Sequence, residues 1–208
     1  MTNIEVILKE LERLFPNPVI ELNYTKDYEL LIAVMLSSQT TDKRVNLVTN
    51  KLFSKYLDLN SLKDADVNDL MDIIKPIGTY RKKSLFIKSI ANELYYKYNS
   101  LVPNNRIQLE SLDGVGRKTA NVVLSVLYNE PCIAVDTHVK RVSKRLGLAL
   151  KDDNVKVIEQ KLEKLIAKDK RSKAHHQLVL FGRYYCKALK PKCKNCELIN
   201  ICKEKVMD

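Results

Sequence analysis

The sequence predicts an all-α protein. Apolar residues recur at helical spacing almost throughout, convincing alternating strands are absent, and Pro and Gly (Pro76, Gly78, Pro103, Pro131, Gly147) interrupt the periodic segments without opening a long linker. Ile4, Ile7, Leu8, Leu11 and Leu14 form a first stripe, closed by PNP at 16–18, where proline removes a backbone donor and resists helical continuation. A second helix is expected at about 28–37. Val45, Val48, Leu52 and Tyr56 line a third, with Thr41 or Asp42 placed to accept its first-turn amides. Further helices read at about 66–74, 81–98, 117–128, 137–146, 154–168 and 173–186. No internal repeat, low-complexity tract or Ser/Gly linker marks a clean domain boundary.

A chain of 208 residues, 45% hydrophobic and 29% charged, is long enough to bury a substantial core as one large domain or two small ones. Its longest apolar run, LLIAVML at 30–36, is too short to cross a bilayer. The N-terminal stretch lacks the basic start and small-residue cleavage site of a secretory signal, so a cytoplasmic protein with no membrane partner is expected. The net charge is +11, and it is unevenly placed: residues 170–208 hold ten Lys or Arg against three Asp or Glu. A concentrated basic surface favours a polyanion, and nucleic acid is the first candidate.

The segment LESLDGVGRKTANVVLSVL, 109–127, reads as a short helix ending near Leu112, a tight DGVG turn, and a second helix from RKTA onward. Gly114 and Gly116 permit positive φ and leave backbone N–H groups uncovered at a helix N-terminus. Such a terminus suits a phosphate, gripped without reference to base sequence. Two glycines two apart are weak evidence alone, because an ordinary αα-corner uses them too.

Four of the five cysteines fall within residues 186–202, CKALKPKCKNCELINIC, spaced C-x6-C-x2-C-x5-C with four lysines among them. In a reducing compartment this crowding points to metal rather than disulfides. The residues alone leave tetrahedral zinc and an iron–sulfur cluster level. Cys132, in PCIAV, reads as a small buried apolar residue.

Taken together, L-x-G-V-G-x-K-T-A at 112–120, VDTHVKRV at 135–142, LSSQTTD at 36–42, FGRYYC at 181–186 and the cysteine spacing resemble the endonuclease III family of helix-hairpin-helix DNA glycosylases, over nearly the whole length and in order. The resemblance implies a two-lobed fold. Residues 20–132 would form a six-helix barrel lobe containing the hairpin at about 107–128. Residues 1–19 and 133–208 would form a second helical lobe, with DNA in the cleft between them. It also implies one [4Fe–4S] cluster per chain, held by Cys186, Cys193, Cys196 and Cys202. The cluster would be structural, since a loop so poor in apolar residues cannot fold on its own core. Lys187, Lys190 and Lys192 would then be held out to the phosphodiester backbone.

The implied activity is removal of oxidised pyrimidines from duplex DNA, followed by strand cleavage 3′ to the abasic site, by a monomer. Lys118 occupies the family's nucleophile position, and it stands in the first turn after GVG, where the positive end of the helix favours the neutral amine that attacks C1′. Asp136 matches the aspartate that stabilises positive charge at the sugar, although an Asp before THVKRV is also an ordinary N-cap. The extruded nucleotide leaves a gap in the stack. Gln39 would fill it from one side. The opposite wedge, bulky and apolar in the family, is Thr79 here, in the turn Gly78-Thr79-Tyr80. Arg81, Lys82 and Lys83 would contact phosphates, as would the hairpin main chain at Gly114, Val115 and Gly116. His138, His175 and His176 are expected to be structural or DNA-facing.

Two alternatives remain. One is a sister glycosylase of the same fold acting on adenine or thymine mismatches, a type that generally lacks the lysine at position 118. The other is a non-catalytic zinc-ribbon DNA-binding module, which would be colourless.

Overall fold

The computed structural model describes residues 2–204, and every regular element among them is helical. α1 spans Asn3–Leu14, α2 Asp27–Leu36, α3 Asp42–Lys55, α4 Leu59–Lys63, α5 Val67–Ile74, α6 Tyr80–Lys97, α7 Arg106–Glu110, α8 Arg117–Tyr128, α9 Thr137–Arg145, α10 Val155–Leu165 and α11 Arg171–Tyr184. The chain divides into two compact units, one of residues 21–128 and one of residues 1–20 with 129–208.

The unit 21–128 is built around α2. Every residue from Tyr28 to Leu36 is buried, which explains why the apolar run at 30–36 shows no polar face. α3, α6 and α8 pack against it. The buried Glu29 carboxylate belongs to the start of this helix, where it accepts the Thr25 N–H at 2.7 Å and the Lys26 N–H at 3.2 Å. It thereby supplies acceptors to amides that have none within the helix. α3 begins as expected at Thr41, whose hydroxyl accepts the Arg44 N–H. The short α4 was not expected. Its signal is the Asp58/Ser61 capping box, with the Ser61 N–H donating to Asp58 at 2.7 Å, a local cue too brief to show as periodicity.

The second unit buries Ile7 and Leu11 of α1 among Ile133, Val135, Val139, Val142, Ile158, Leu162, Leu178 and Phe181. α11 packs on both α1 and α9. The α9–α11 crossing is close because Gly182 carries no side chain: a Cβ there would lie 2.8 Å from His138 Cβ. This gives FGRYYC a packing reason for its glycine. α10 ends at Leu165 rather than 168, since Ile166 turns to an extended ψ of 126° and buries its side chain. A 3₁₀ turn over Lys168–Lys170 then leads into α11 at Arg171, two residues before the expected start.

Candidate active site and nucleic-acid interface

α7 and α8 form the expected hairpin, joined by a turn in which the Val115 N–H donates to Leu112 O at 3.1 Å. The two glycines serve different ends. Gly114 has φ +75°, and a Cβ there would fall 2.4 Å from the Phe86 ring, so the turn itself demands glycine. Gly116 does not take the positive φ expected of it, and no protein atom lies within 4 Å of its would-be Cβ. Nothing in the fold forbids a side chain there. The open face lies at the N-terminus of α8, whose first helical bond runs from the Ala120 N–H to Gly116 O at 3.0 Å. Amides ahead of that bond have no acceptor in their own helix and carry the positive end of its dipole. Val115 is buried, so only its main chain is available to a ligand.

Lys118 projects from this first turn, half-buried, and among the described residues its ammonium has no hydrogen-bond or ion-pair partner. Asp136 belongs to the other unit. It caps α9, its Oδ1 accepting the Val139 N–H at 2.8 Å, while Oδ2 accepts no hydrogen bond among the described residues and the carboxylate interacts electrostatically with Arg141. A single carboxylate thus has one oxygen committed to the fold and one that can face a cation.

Gln39 and Thr79, the two residues expected to enter the DNA stack, are both exposed. Both hold left-handed backbone, with φ of +59° and +57°, an unfavourable conformation for residues other than glycine. Arg81 and Lys82 are exposed, as expected of phosphate contacts. The Arg81 guanidinium stands 5.4 Å from the Tyr80 ring and Lys82 Nζ 5.5 Å from the Phe86 ring, the same ring that meets Gly114. Phe86 therefore ties the basic start of α6 to the hairpin. Lys83 departs from expectation. Only 6% exposed, it donates to Leu36 O at 2.9 Å and Ser38 O at 2.7 Å, and so cannot reach a phosphate. Burial lowers its pKa.

Cys186, Cys193, Cys196 and Cys202 line one cavity, together with Phe181, Tyr185, Leu146 and Ile199, and none is in a disulfide. Burial pushes the Cys196 and Cys202 thiols up, and the neighbouring thiols push them further, so the four sulfurs crowd one another. Yet no three His, Cys, Asp or Glu side chains among the described residues form a group that could hold a single metal ion. Four thiols around one apolar cavity, none in a disulfide, form a soft donor set suited to a thiophilic metal centre. Two arginines from α9 anchor this loop, and sequence reading passed over both. Arg141 donates to Cys186 O at 2.9 Å and Gly182 O at 2.7 Å. Arg145 donates to Lys187 O at 2.7 Å and lies 3.4 Å from Cys186 Sγ. Their only signal was their spacing: Arg141 in VDTHVKRV and Arg145 three residues beyond it are four apart and so share one helical face. Lys187, Lys190 and Lys192 are exposed on the loop, and Lys192 Nζ sits 4.8 Å from the Tyr185 ring. The histidines serve packing: His175 is buried against His176, with ring centroids 4.8 Å apart, and His138 Nδ1 lies 3.2 Å from Arg141.

The helical architecture and the glycine hairpin define a helix-hairpin-helix DNA-repair protein. The family described as HhH-GPD superfamily base excision DNA repair protein matches residues 32–168. The chain is 43% identical to endonuclease III of Bacillus subtilis (strain 168), with 98% of this chain and 93% of that protein covered. It is 46% identical to endonuclease III of Haemophilus influenzae, with 96% and 95% covered. The structure of a trapped endonuclease III–DNA covalent intermediate, an estranged-adenine complex, superimposes with a TM-score of 0.92 at 45% identity, covering 98% of this chain and 96% of that one. The chain belongs to the HhH-GPD superfamily and, within it, to the endonuclease III family.

Proposed function

We propose that this protein excises oxidised pyrimidines from duplex DNA and cleaves the resulting abasic site, with Lys118 as nucleophile and Asp136 stabilising positive charge on the sugar. The observation that carries the reading is Lys118 itself: an amine without a partner, in the first turn of α8, behind a hairpin whose Gly116 leaves room for a phosphate that the fold does not fill. The hairpin amides would hold the backbone beside the lesion, which puts the sugar within reach of Lys118. The neutral amine attacks C1′, the N-glycosidic bond breaks, and the base leaves with its electron pair and gains a proton. The C1′–O4′ bond then opens, the proton on the nitrogen passes to O4′, and the imine so formed acidifies C2′. Loss of that proton expels the 3′-phosphate by β-elimination, and water then hydrolyses the imine to free Lys118. Asp136, with one oxygen on the α9 amide and the other available, would stabilise the positive charge that grows on the sugar as the base departs. Gln39 would occupy the space beside the orphan base and Thr79 the opposite side, while Arg81, Lys82, Lys187, Lys190 and Lys192 bind phosphates.

The two-lobed division at about 20–132, with the hairpin at 107–128, belongs to the same reading, as does action as a monomer in the cytoplasm. No helix among the described residues is long and apolar enough to cross a membrane. Cys186, Cys193, Cys196 and Cys202 would hold one [4Fe–4S] cluster, whose contribution when bound is to fix the basic loop rather than to enter the reaction. The trapped covalent complex of the related endonuclease III supports a covalent step between protein and DNA. The test is borohydride trapping on duplexes containing thymine glycol, an abasic site, or A·G and G·T mismatches. Adduct on the first two alone is the expected result. Adduct on mismatches in their place would move the protein to the mismatch class.

A further inference from the structure

Lys83 is buried, charged and outside the chemistry described above. Its backbone N–H donates to Thr79 O at 3.0 Å, and its ammonium donates to Ser38 O at 2.7 Å. Ser38 O belongs to the peptide that joins Ser38 to Gln39. One residue therefore bonds the turn of each exposed left-handed residue, Gln39 at φ +59° and Thr79 at φ +57°. No carboxylate among the described residues neutralises this ammonium. Its charge rests on the Leu36 and Ser38 carbonyls at the C-terminus of α2, the negative end of the helix. The arrangement has a cost, since burial works against the charged form and backbone strain is held at two sites. A solvated C-cap would have ended α2 more cheaply. What the lysine adds is a fixed relation between the Gln39 and Thr79 turns.

We propose that Lys83 is a positioning residue, locking the two turns into one rigid support so that Gln39 and Thr79 enter the stack in register when a damaged base is extruded. The inference rests on the function proposed above. Its consequence is selective: extrusion of a paired base needs the support, whereas an abasic site has no base to extrude and needs it less.

The test compares wild type with Lys83→Met, which keeps the length and removes the donors. Single-turnover release of thymine glycol should fall about tenfold or more, as expected when reacting groups are misplaced by around an ångström. Borohydride trapping at a preformed abasic site should stay within about threefold of wild type. Fluorescence of 2-aminopurine opposite the lesion should show lost extrusion. Adding Lys83→Met to Gln39→Ala should cost little beyond the worse single variant, because residues acting through one another do not add. Lys83→Arg, which keeps charge and donors, should recover most of the lost release. Wild-type release by Lys83→Met, an equal loss on both substrates, or fully additive effects would each overturn the proposal. Should Lys83→Met not fold, Lys83→Leu, which likewise has no donor, carries the same comparison. Failure of the wild type to release base or be trapped would instead sink the proposed function, a separate and visible outcome.

Discussion

Asp136 and Lys118 present the same question at the scale of single residues: which of their atoms serve the fold, and which are left for chemistry. For Asp136 the division runs through one carboxylate, Oδ1 capping α9 at 2.8 Å. Asn and Asp are near-equal N-caps, whereas Ala in their place costs about 0.5–2 kcal/mol. Asp136→Asn should therefore keep its Tm within a few degrees and still bind damaged duplex, yet lose most base release, because an amide supplies no negative charge to a cationic sugar. Asp136→Ala should lose both. Thermal melting and single-turnover release on the two variants check this, and a fully active Asn variant would leave Asp136 as a cap alone. Lys118 has no hydrogen-bond or ion-pair partner among the described residues to lose, so Lys118→Gln should melt like wild type and bind duplex while its borohydride-trapped adduct disappears. Persistent trapping would mean that another amine attacks.

At the scale of elements, the hairpin between α7 and α8 separates two glycines that look alike in sequence. Gly114→Ala places a Cβ 2.4 Å from the Phe86 ring on a backbone at φ +75°, and should cost about 2 kcal/mol or more of stability. Gly116→Ala meets no protein atom, so stability should hold while affinity falls equally for damaged and undamaged duplex, since phosphate contacts carry no sequence information. Denaturation and duplex titration on both variants give the check. A Gly116→Ala variant that binds normally would remove the phosphate grip, and a defect confined to one lesion would place Gly116 in base recognition. The helix that supports the hairpin, α6, carries the same economy: Arg81 and Lys82 face outward, Phe86 abuts the turn, and Lys83 points into the unit.

Over the whole molecule, the charge of +11 and the cysteine loop act together. The loop has few apolar side chains of its own; Leu198 is buried, with Cys186, Cys196 and Ile201 packed against the core of their unit, and the rest hangs on Arg141, Arg145 and the thiols. Cys196→Ser should lose iron and visible absorbance and weaken DNA binding, while much of the far-UV helical signal remains, because α1 and α9 to α11 have their own core. A Cys196→Ser protein that keeps iron and full affinity would contradict the assignment. Replacing Lys187, Lys190 and Lys192 together by Ala should flatten the plot of log Kd against log salt by about three counterions, roughly one for each lost phosphate contact. An unchanged slope would remove the loop from the interface.

The sequence by itself determined the helical class, the hairpin and the crowding of four thiols, because each rests on local spacing: apolar periodicity, glycines two apart, cysteines within seventeen residues; the family came from the resemblance of those motifs, in order, to known ones. It also placed Thr41 and Asp136 as caps, since a cap bonds amides only two or three residues away. What it could not reach were relations set by atoms distant along the chain. Lys83 sits between Lys82 and Ser84 in a basic run, and nothing local distinguishes it from its neighbours. Its burial comes from the end of α2 and the turn after it, at Leu36 and Ser38, forty-seven and forty-five residues earlier. Gly114 and Gly116 read as equals until Phe86 approached one of them and left the other open. Arg141 and Arg145 read as one helical face until Cys186 and Lys187 came to lie against them, forty-five and forty-two residues on. Spacing along the chain specifies elements; which face of an element meets protein and which meets water is decided only when the elements pack, because burial is a property of neighbours rather than of sequence.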